Sequence, residues 1–187
     1  MHGNSYLVLA GSTRPIRRSP TIAAWVAALG DTLSEARFEV ADLKDLGLAL
    51  DDEPHLPAAG LGYVSAATRA WSERVSASRG VVFVTPQYNW GYPAALKNAI
   101  DHLYAEWAGK PGLIVSYGSR GGEKCAAQLR QVLTGLDVRL TEAMPGLPIG
   151  RARVEANDGE VEPELDFAAH RDAVMAALRE LLALPQR

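Results

Sequence analysis

A chain of 187 residues, 48% of them hydrophobic, carries enough apolar material for one well-filled core and is short for two. Its 22% charged residues sum to a formal net charge of -3, so composition gives no support to nucleic acid or an anionic membrane as a partner. The single cysteine, Cys125, excludes a disulfide within the chain, which fits a reducing cytosol.

The first stretch, "MHGNSYLVLAGS", does not read as a signal peptide. Its apolar run, Tyr6 to Ala10, is short, and the positive charges follow it. No apolar segment approaches the roughly 20 residues a membrane-spanning helix needs. The expectation is a soluble, cytoplasmic protein, one domain over residues 1–187.

"SYLVLA" (5–10) reads as the first strand. Ser19 and Pro20 suit an N-cap and a first helical position, and "TIAAWVAALGDTL" continues that helix. "RFEVADL" (37–43) alternates like a strand, and residues 44–62 read as a long loop. From Tyr63, apolar residues at 64, 67, 71 and 75 have helical spacing. "GVVFVT" (80–85) is continuously apolar, as in a strand covered on both faces. A helix is expected over 94–107, a strand over 112–117, a helix over 123–133 and a fifth strand over 137–143. "MPGLPIG" and the acidic tract through 163 read as loops, and 166–184 as a closing amphipathic helix. Strand and helix alternating five times predict an α/β fold, a doubly wound five-stranded parallel sheet with helices on both faces. Ligands in such sheets bind beyond the carboxyl ends of the strands, where strand order reverses.

Three loops lie there. "GSTRPIRRSP" (11–20) offers hydroxyls from Ser12, Thr13 and Ser19, a helix start, and Arg14, Arg17 and Arg18 with no acid between them. It lacks the spacing of a P-loop and of a dinucleotide fingerprint, so a single terminal phosphate fits it better. An N-capped helix with a solvated basic loop is the plainer alternative. "PQYNWGYP" (86–93) puts three aromatic rings and two amides between stiffening prolines, with Gly91 for close approach. That suits a planar heterocycle with a polar edge, or aromatics packed at a subunit seam. "SYGSRGGEK" (116–124) repeats the strand–Gly–helix arrangement.

The runs "GSTR", "PQYNWGYPAALKNAIDHLYAEWAGKP" and "VSYGSRGG" resemble the NADPH-dependent FMN reductase family of the flavodoxin-like, three-layer fold, and within it the NAD(P)H:quinone oxidoreductases. The resemblance spans roughly residues 5–145. It implies FMN as cofactor, NADPH or NADH as co-substrate, and a homodimer or homotetramer. By position, Ser12, Arg14 and Ser19 are expected to hold the FMN phosphate. Pro86, Gln87, Tyr88, Asn89 and Trp90 are expected at the ribityl and isoalloxazine part, largely through backbone N–H groups. Tyr117 and Gly118 are expected to border the ring. Relatives tend to carry a small residue and His where Ser119 and Arg120 stand, which leaves the second substrate open.

The implied reaction is two-electron and ping-pong. Hydride goes from NAD(P)H through flavin N5 to a small acceptor, whether quinone, azo compound or flavin. No catalytic side chain is assigned, and no metal site. Cys125 is expected as a packed residue, and His102 at the surface or an interface. His2, His55 and His170 have no ligand spacing. Tract 155–166 is expected as a solvated loop, and Trp25 and Trp71 as core. An FMN electron carrier or redox sensor is the alternative reading, and a flavin-free structural relative a third.

Overall fold

A computed structural model describes residues 5–33, 35–50 and 53–185; His2 lies outside them. Among the described residues the strands are β1 (Ser5–Ala10), β2 (Arg37–Asp42), β3 (Gly80–Pro86), β4 (Pro111–Gly118), β5 (Arg139–Leu140) and β6 (Gly146–Pro148). The helices are α1 (Ser19–Asp31), α2 (Ala66–Ala77), α3 (Ala94–Asp101), α4 (Glu123–Gly135), α5 (Arg151–Ala156), α6 (Pro163–Asp166) and α7 (Arg171–Ala183). The sheet order is β2-β1-β3-β4-β5, every pair parallel, which is the flavodoxin-like order.

The strands read as continuous apolar runs because both faces are covered. Tyr6, Val8, Val82, Val84 and Val115 pack under α1 and α7. Leu7, Leu9, Val81, Phe83 and Ile114 pack under α2, α3 and α4. Successive side chains point to opposite faces, so one strand feeds two cores. Trp25 and Trp71 are both core, on opposite sides of the sheet: Trp25 lies against Phe167 at 5.8 Å and Trp71 against Trp107 at 6.3 Å.

Several boundaries differ from the sequence expectation. Helix α3 ends at Asp101 rather than near Trp107, whose indole N–H folds back to donate to the Ile100 carbonyl at 2.9 Å. Strand five keeps only two residues. Beyond it, Arg130 donates to the Thr141 and Glu142 carbonyls, and the Glu180 carboxylate accepts from the Glu142 and Ala143 N–H groups, drawing the chain off the ladder. The chain then returns as β6, in a stretch expected to be loop, and pairs with the end of β4. The long loop 44–62 contains two 3-10 turns, and the acidic tract 155–166 begins in the last residues of α5 and ends in α6. The closing helix starts at Arg171, because Phe167 leaves helical geometry to fill the core beside Trp25.

Candidate active site

Strand β1 sits between β2 and β3, so the sheet reverses there and the loops after β1 and β3 leave side by side. The Gly11 N–H donates to the Val84 carbonyl at 2.9 Å, and a Cβ at Gly11 would lie 2.6 Å from that oxygen. Only glycine permits this approach.

Ser19 is the first helical residue of α1, with Arg18 as N-cap, and it does not cap the helix. Its hydroxyl instead accepts from the Ser12 N–H at 3.0 Å and lies 2.7 Å from the Tyr117 hydroxyl. Ser12 Oγ lies 2.7 Å from the Tyr88 hydroxyl. Both serines are fully buried. Thus the first loop is tied to the second through Ser12–Tyr88 and to β4 through Ser19–Tyr117.

The three arginines separate into two roles. Arg17 makes a two-pronged bond with Asp42 at 3.0 and 2.6 Å and donates to the Ser12 carbonyl at 2.8 Å. The acid absent from the loop arrives from β2, because the register sets Asp42 beside Ala10. Arg18 donates to the carbonyls of Glu160 and Arg153 and lies 3.7 Å from Asp158, so the acidic tract, its side chains still largely exposed, is tied to the first loop. Arg14 alone of the three is exposed and without an ion pair among the described residues; its guanidinium lies 3.6 Å above the Tyr88 ring centre.

In the second loop, Tyr88 and Gly91 exchange backbone hydrogen bonds at 2.8 and 3.0 Å around a two-residue turn. Asn89 and Trp90 carry φ of 47° and 74° there, so the left-handed residues are these two and not Gly91. Non-glycine residues held this way cost energy, and such strain gathers at functional sites. Trp90 is 66% exposed, with Lys124 Nζ 5.5 Å from its ring. Among the described residues, the backbone N–H groups of Thr13, Asn89 and Trp90 donate to no protein acceptor.

Gln87 joins the second and third loops. Its N–H donates to the Tyr117 carbonyl at 2.9 Å, and its Oε1 accepts from the Lys124 and Cys125 N–H groups at the start of α4. Its side-chain amide nitrogen is the part left for a ligand. Pro86 is buried at the end of β3, paired in register with Tyr117. The Tyr117 ring is itself buried on the α1 side of the sheet, so this residue meets the site through its hydroxyl and backbone, not through a ring face. Gly118 accepts from the Gly121 and Ile149 N–H groups. Gly121 and Gly122, at φ of 79° and 83°, fold the third loop low.

Burial pushes the Tyr117 hydroxyl far above its ordinary range and the Cys125 thiol up to about 12. Cys125 is packed, its Sγ 3.1 Å from the Gly122 carbonyl. His102 is also buried, contrary to the surface expectation. Its Nδ1 lies 2.9 Å from Thr68 Oγ1 and its Nε2 2.8 Å from the Ala49 carbonyl, holding loop 44–50 against α3. Among the described residues, no group of three His, Cys, Asp or Glu could hold a metal ion, and no helix is long and apolar enough to cross a membrane.

Nothing in the sequence signalled the serine–tyrosine pairs, which join residues 76 and 98 positions apart. Their only trace is a tyrosine at or just past the ends of β3 and β4.

The chain matches the family model described as NADPH-dependent FMN reductase over residues 5–144. It is 45% identical over 179 residues to a Schizosaccharomyces pombe protein named NAD(P)H-dependent FMN reductase, covering 95% of this chain and 88% of that one. It is 41% identical over 182 residues to a Saccharomyces cerevisiae protein of the same description, covering 91% and 93%. An Escherichia coli quinone reductase is 41% identical over 105 residues, covering 51% and 55%. Among solved structures, a Paracoccus denitrificans flavoenzyme NAD(P)H:(acceptor) oxidoreductase superposes with a TM-score of 0.69 at 24% identity, covering 96% and 98%, which shows the shared fold. The match over residues 5–144 and the two long relatives establish that the chain belongs to the NADPH-dependent FMN reductase family.

Proposed function

We propose that this protein is an FMN-dependent NAD(P)H oxidoreductase that reduces small acceptors of the quinone class by two electrons. The observation that carries the reading is Arg14, exposed and without a carboxylate partner, lying over the Tyr88 ring at the point where the sheet reverses. The names of the two yeast relatives support the flavin and nicotinamide, and that of the bacterial quinone reductase supports the acceptor class.

The donors present fit FMN. Arg14, the Thr13 N–H and the Ser12 and Ser19 hydroxyls are all donors gathered at a helix start, as a phosphate dianion requires. The Asn89 and Trp90 N–H groups and the Gln87 amide nitrogen suit the acceptor edge of a flat ring, between the Pro86 and Gly118 strand ends. When bound, FMN supplies the redox chemistry, accepting two electrons from NAD(P)H and passing them to the acceptor.

The chain's own residues bind and orient. The unpaired N–H groups of the 88–91 turn favour negative charge beside them. Trp90, with Lys124 near its face, gives the mouth of the site a flat cationic wall. Tyr117 and Cys125 are held protonated by burial, so neither serves as a base near neutral pH. No side chain is asked to be a nucleophile or general base, and binding both substrates at one place supplies proximity.

We read the protein as working as a homodimer or homotetramer. Leu50, Leu56, Leu61 and Val64 stand 62–78% exposed along one loop, which gives apolar surface for a second copy. Light scattering tests this.

The decisive experiment is the visible absorption spectrum of the protein before and after NADPH is added without oxygen. Flavin bands that bleach support the reading. Bands that persist with both NADPH and NADH favour a carrier fed by another reductase. A colourless protein that takes up no added FMN overturns the proposal.

A further inference from the structure

Ser19 and Tyr117 form a buried hydroxyl pair with one proton too many. Their oxygens lie 2.7 Å apart, Ser19 fully buried and Tyr117 5% exposed. Each hydroxyl carries one proton and can also accept. The bond between them uses one of the two protons. Ser19 Oγ additionally accepts the Ser12 N–H at 3.0 Å. Among the described residues, no protein acceptor takes the second proton. A phenol, with an ordinary pKa of about 10, is far more acidic than an aliphatic alcohol, so Tyr117 is the donor in the pair. Ser19 then has both lone-pair positions filled and keeps the spare proton.

Ser12 and Tyr88 repeat the pattern at the other side of the loop. Their hydroxyl oxygens are 2.7 Å apart, and the Arg14 N–H approaches Ser12 Oγ at 3.4 Å. Two serines whose lone pairs are taken up by N–H and phenol donors present protons only. A buried donor without an acceptor is costly, and the species that relieves two at once is an acceptor-only anion.

We propose that Tyr117 is a positioning residue for the flavin phosphate: by donating to Ser19 it reserves the Ser19 proton for the anion, and so selects the phosphorylated flavin over riboflavin. This rests on the flavin reading above. Tyr117, its ring buried on the α1 side of the sheet, reaches neither the flavin ring nor the reacting atoms. It acts through Ser19, and its hydroxyl is the only part that matters.

The test is a titration of FMN and of riboflavin, followed by flavin fluorescence, against wild type, Tyr117→Phe and Ser19→Ala. Loss of the tyrosine hydroxyl removes the neutral bond that orients Ser19 and is expected to raise the FMN Kd about fivefold, while Ser19→Ala, which removes the bond to the anion itself, is expected to raise it about tenfold or more. The riboflavin Kd is expected to move less than about twofold, because riboflavin brings no anion to the serine. A loosened fold, or a trapped water as the natural acceptor, would move both flavins alike. Equal shifts, or an unmoved FMN Kd, overturn the proposal. Ser19→Ala removes the reserved proton itself without touching the aromatic core, and an FMN Kd it leaves unmoved overturns the proposal should Tyr117→Phe not fold.

A second arm needs no flavin. Inorganic phosphate is expected to raise the melting temperature of the wild type and to raise that of Tyr117→Phe less. Phosphate protection of this kind in a protein that takes up no flavin supports the role of Tyr117 toward an anion and overturns the flavin reading. A wild type that neither phosphate nor FMN stabilises overturns both.

Discussion

Gln87 caps a helix that begins 36 residues after it. Its side-chain oxygen accepts from the Lys124 and Cys125 N–H groups at 3.1 and 3.3 Å, and the helix has no cap of its own because its N-cap residue is Gly122. A loop read as a ring clamp therefore also fastens the third loop. Removing an N-cap acceptor typically costs about 1 kcal/mol, so Gln87→Ala is expected to lower stability by that amount and the melting temperature by about 2–4 °C. Gln87→Glu keeps the acceptor and adds charge favourable to a helix start, so it is expected to recover the loss. Thermal unfolding of both variants checks this.

Arg14 and Arg17, three residues apart, are expected to fail in opposite ways. Arg17→Ala strands Asp42, whose side chain is only 16% exposed, and is expected to cost about 1–3 kcal/mol, between the values for exposed and buried pairs. Arg14→Ala breaks no ion pair among the described residues and is expected to leave stability within about 0.5 kcal/mol. Its loss is expected in FMN retention instead, with little effect on turnover once FMN is saturating. Denaturant midpoints and flavin content after gel filtration separate the two.

The Asn89–Trp90 turn stores conformational strain that glycine would release. Trp90 is largely exposed at φ 74°, so Trp90→Gly forfeits little packing. The variant is expected to be about as stable as the parent or up to about 1 kcal/mol more stable. Flavin affinity is expected to fall, since the indole at the mouth is lost. Urea unfolding measured beside an FMN titration tests the trade.

The sheet and both covered faces were legible because parallel strands announce themselves as unbroken apolar runs such as "GVVFVT". The three loops were legible as neighbours because each follows the carboxyl end of a strand in one parallel sheet. What stayed hidden depends on long-range pairing. Asp42 neutralises Arg17 only because β2 lies beside β1, and Arg18 turns to Asp158 only because the C-terminal excursion packs against the first loop. A run of three arginines therefore looked like one cationic patch, while the fold leaves only Arg14 of the three without an ion pair among the described residues. His102 hid for the same reason: its partners, Thr68 and Ala49, come from segments 34 and 53 residues away.

Buried acids give the protein an alkaline limit. Cys125 is held neutral in the fold, its thiol raised from 9.0 to about 12, and Tyr117 is raised as well. Above pH 9 the unfolded chain releases the thiol proton while the folded chain keeps it. The folded state then binds more protons, so stability falls as pH rises, with each such group contributing about 1.4 kcal/mol per pH unit between its two pKa values. The stabilising effect is whole below pH 9 and is lost progressively toward pH 12. Cys125→Ala, which keeps a small apolar side chain, is expected to flatten that slope by about one proton. Denaturant unfolding from pH 8 to pH 11 measures it directly. A slope unchanged by the substitution would assign the alkaline loss to the tyrosines instead. The same burial is expected to make the native thiol slow to react with iodoacetamide at pH 8, while the urea-unfolded chain alkylates readily.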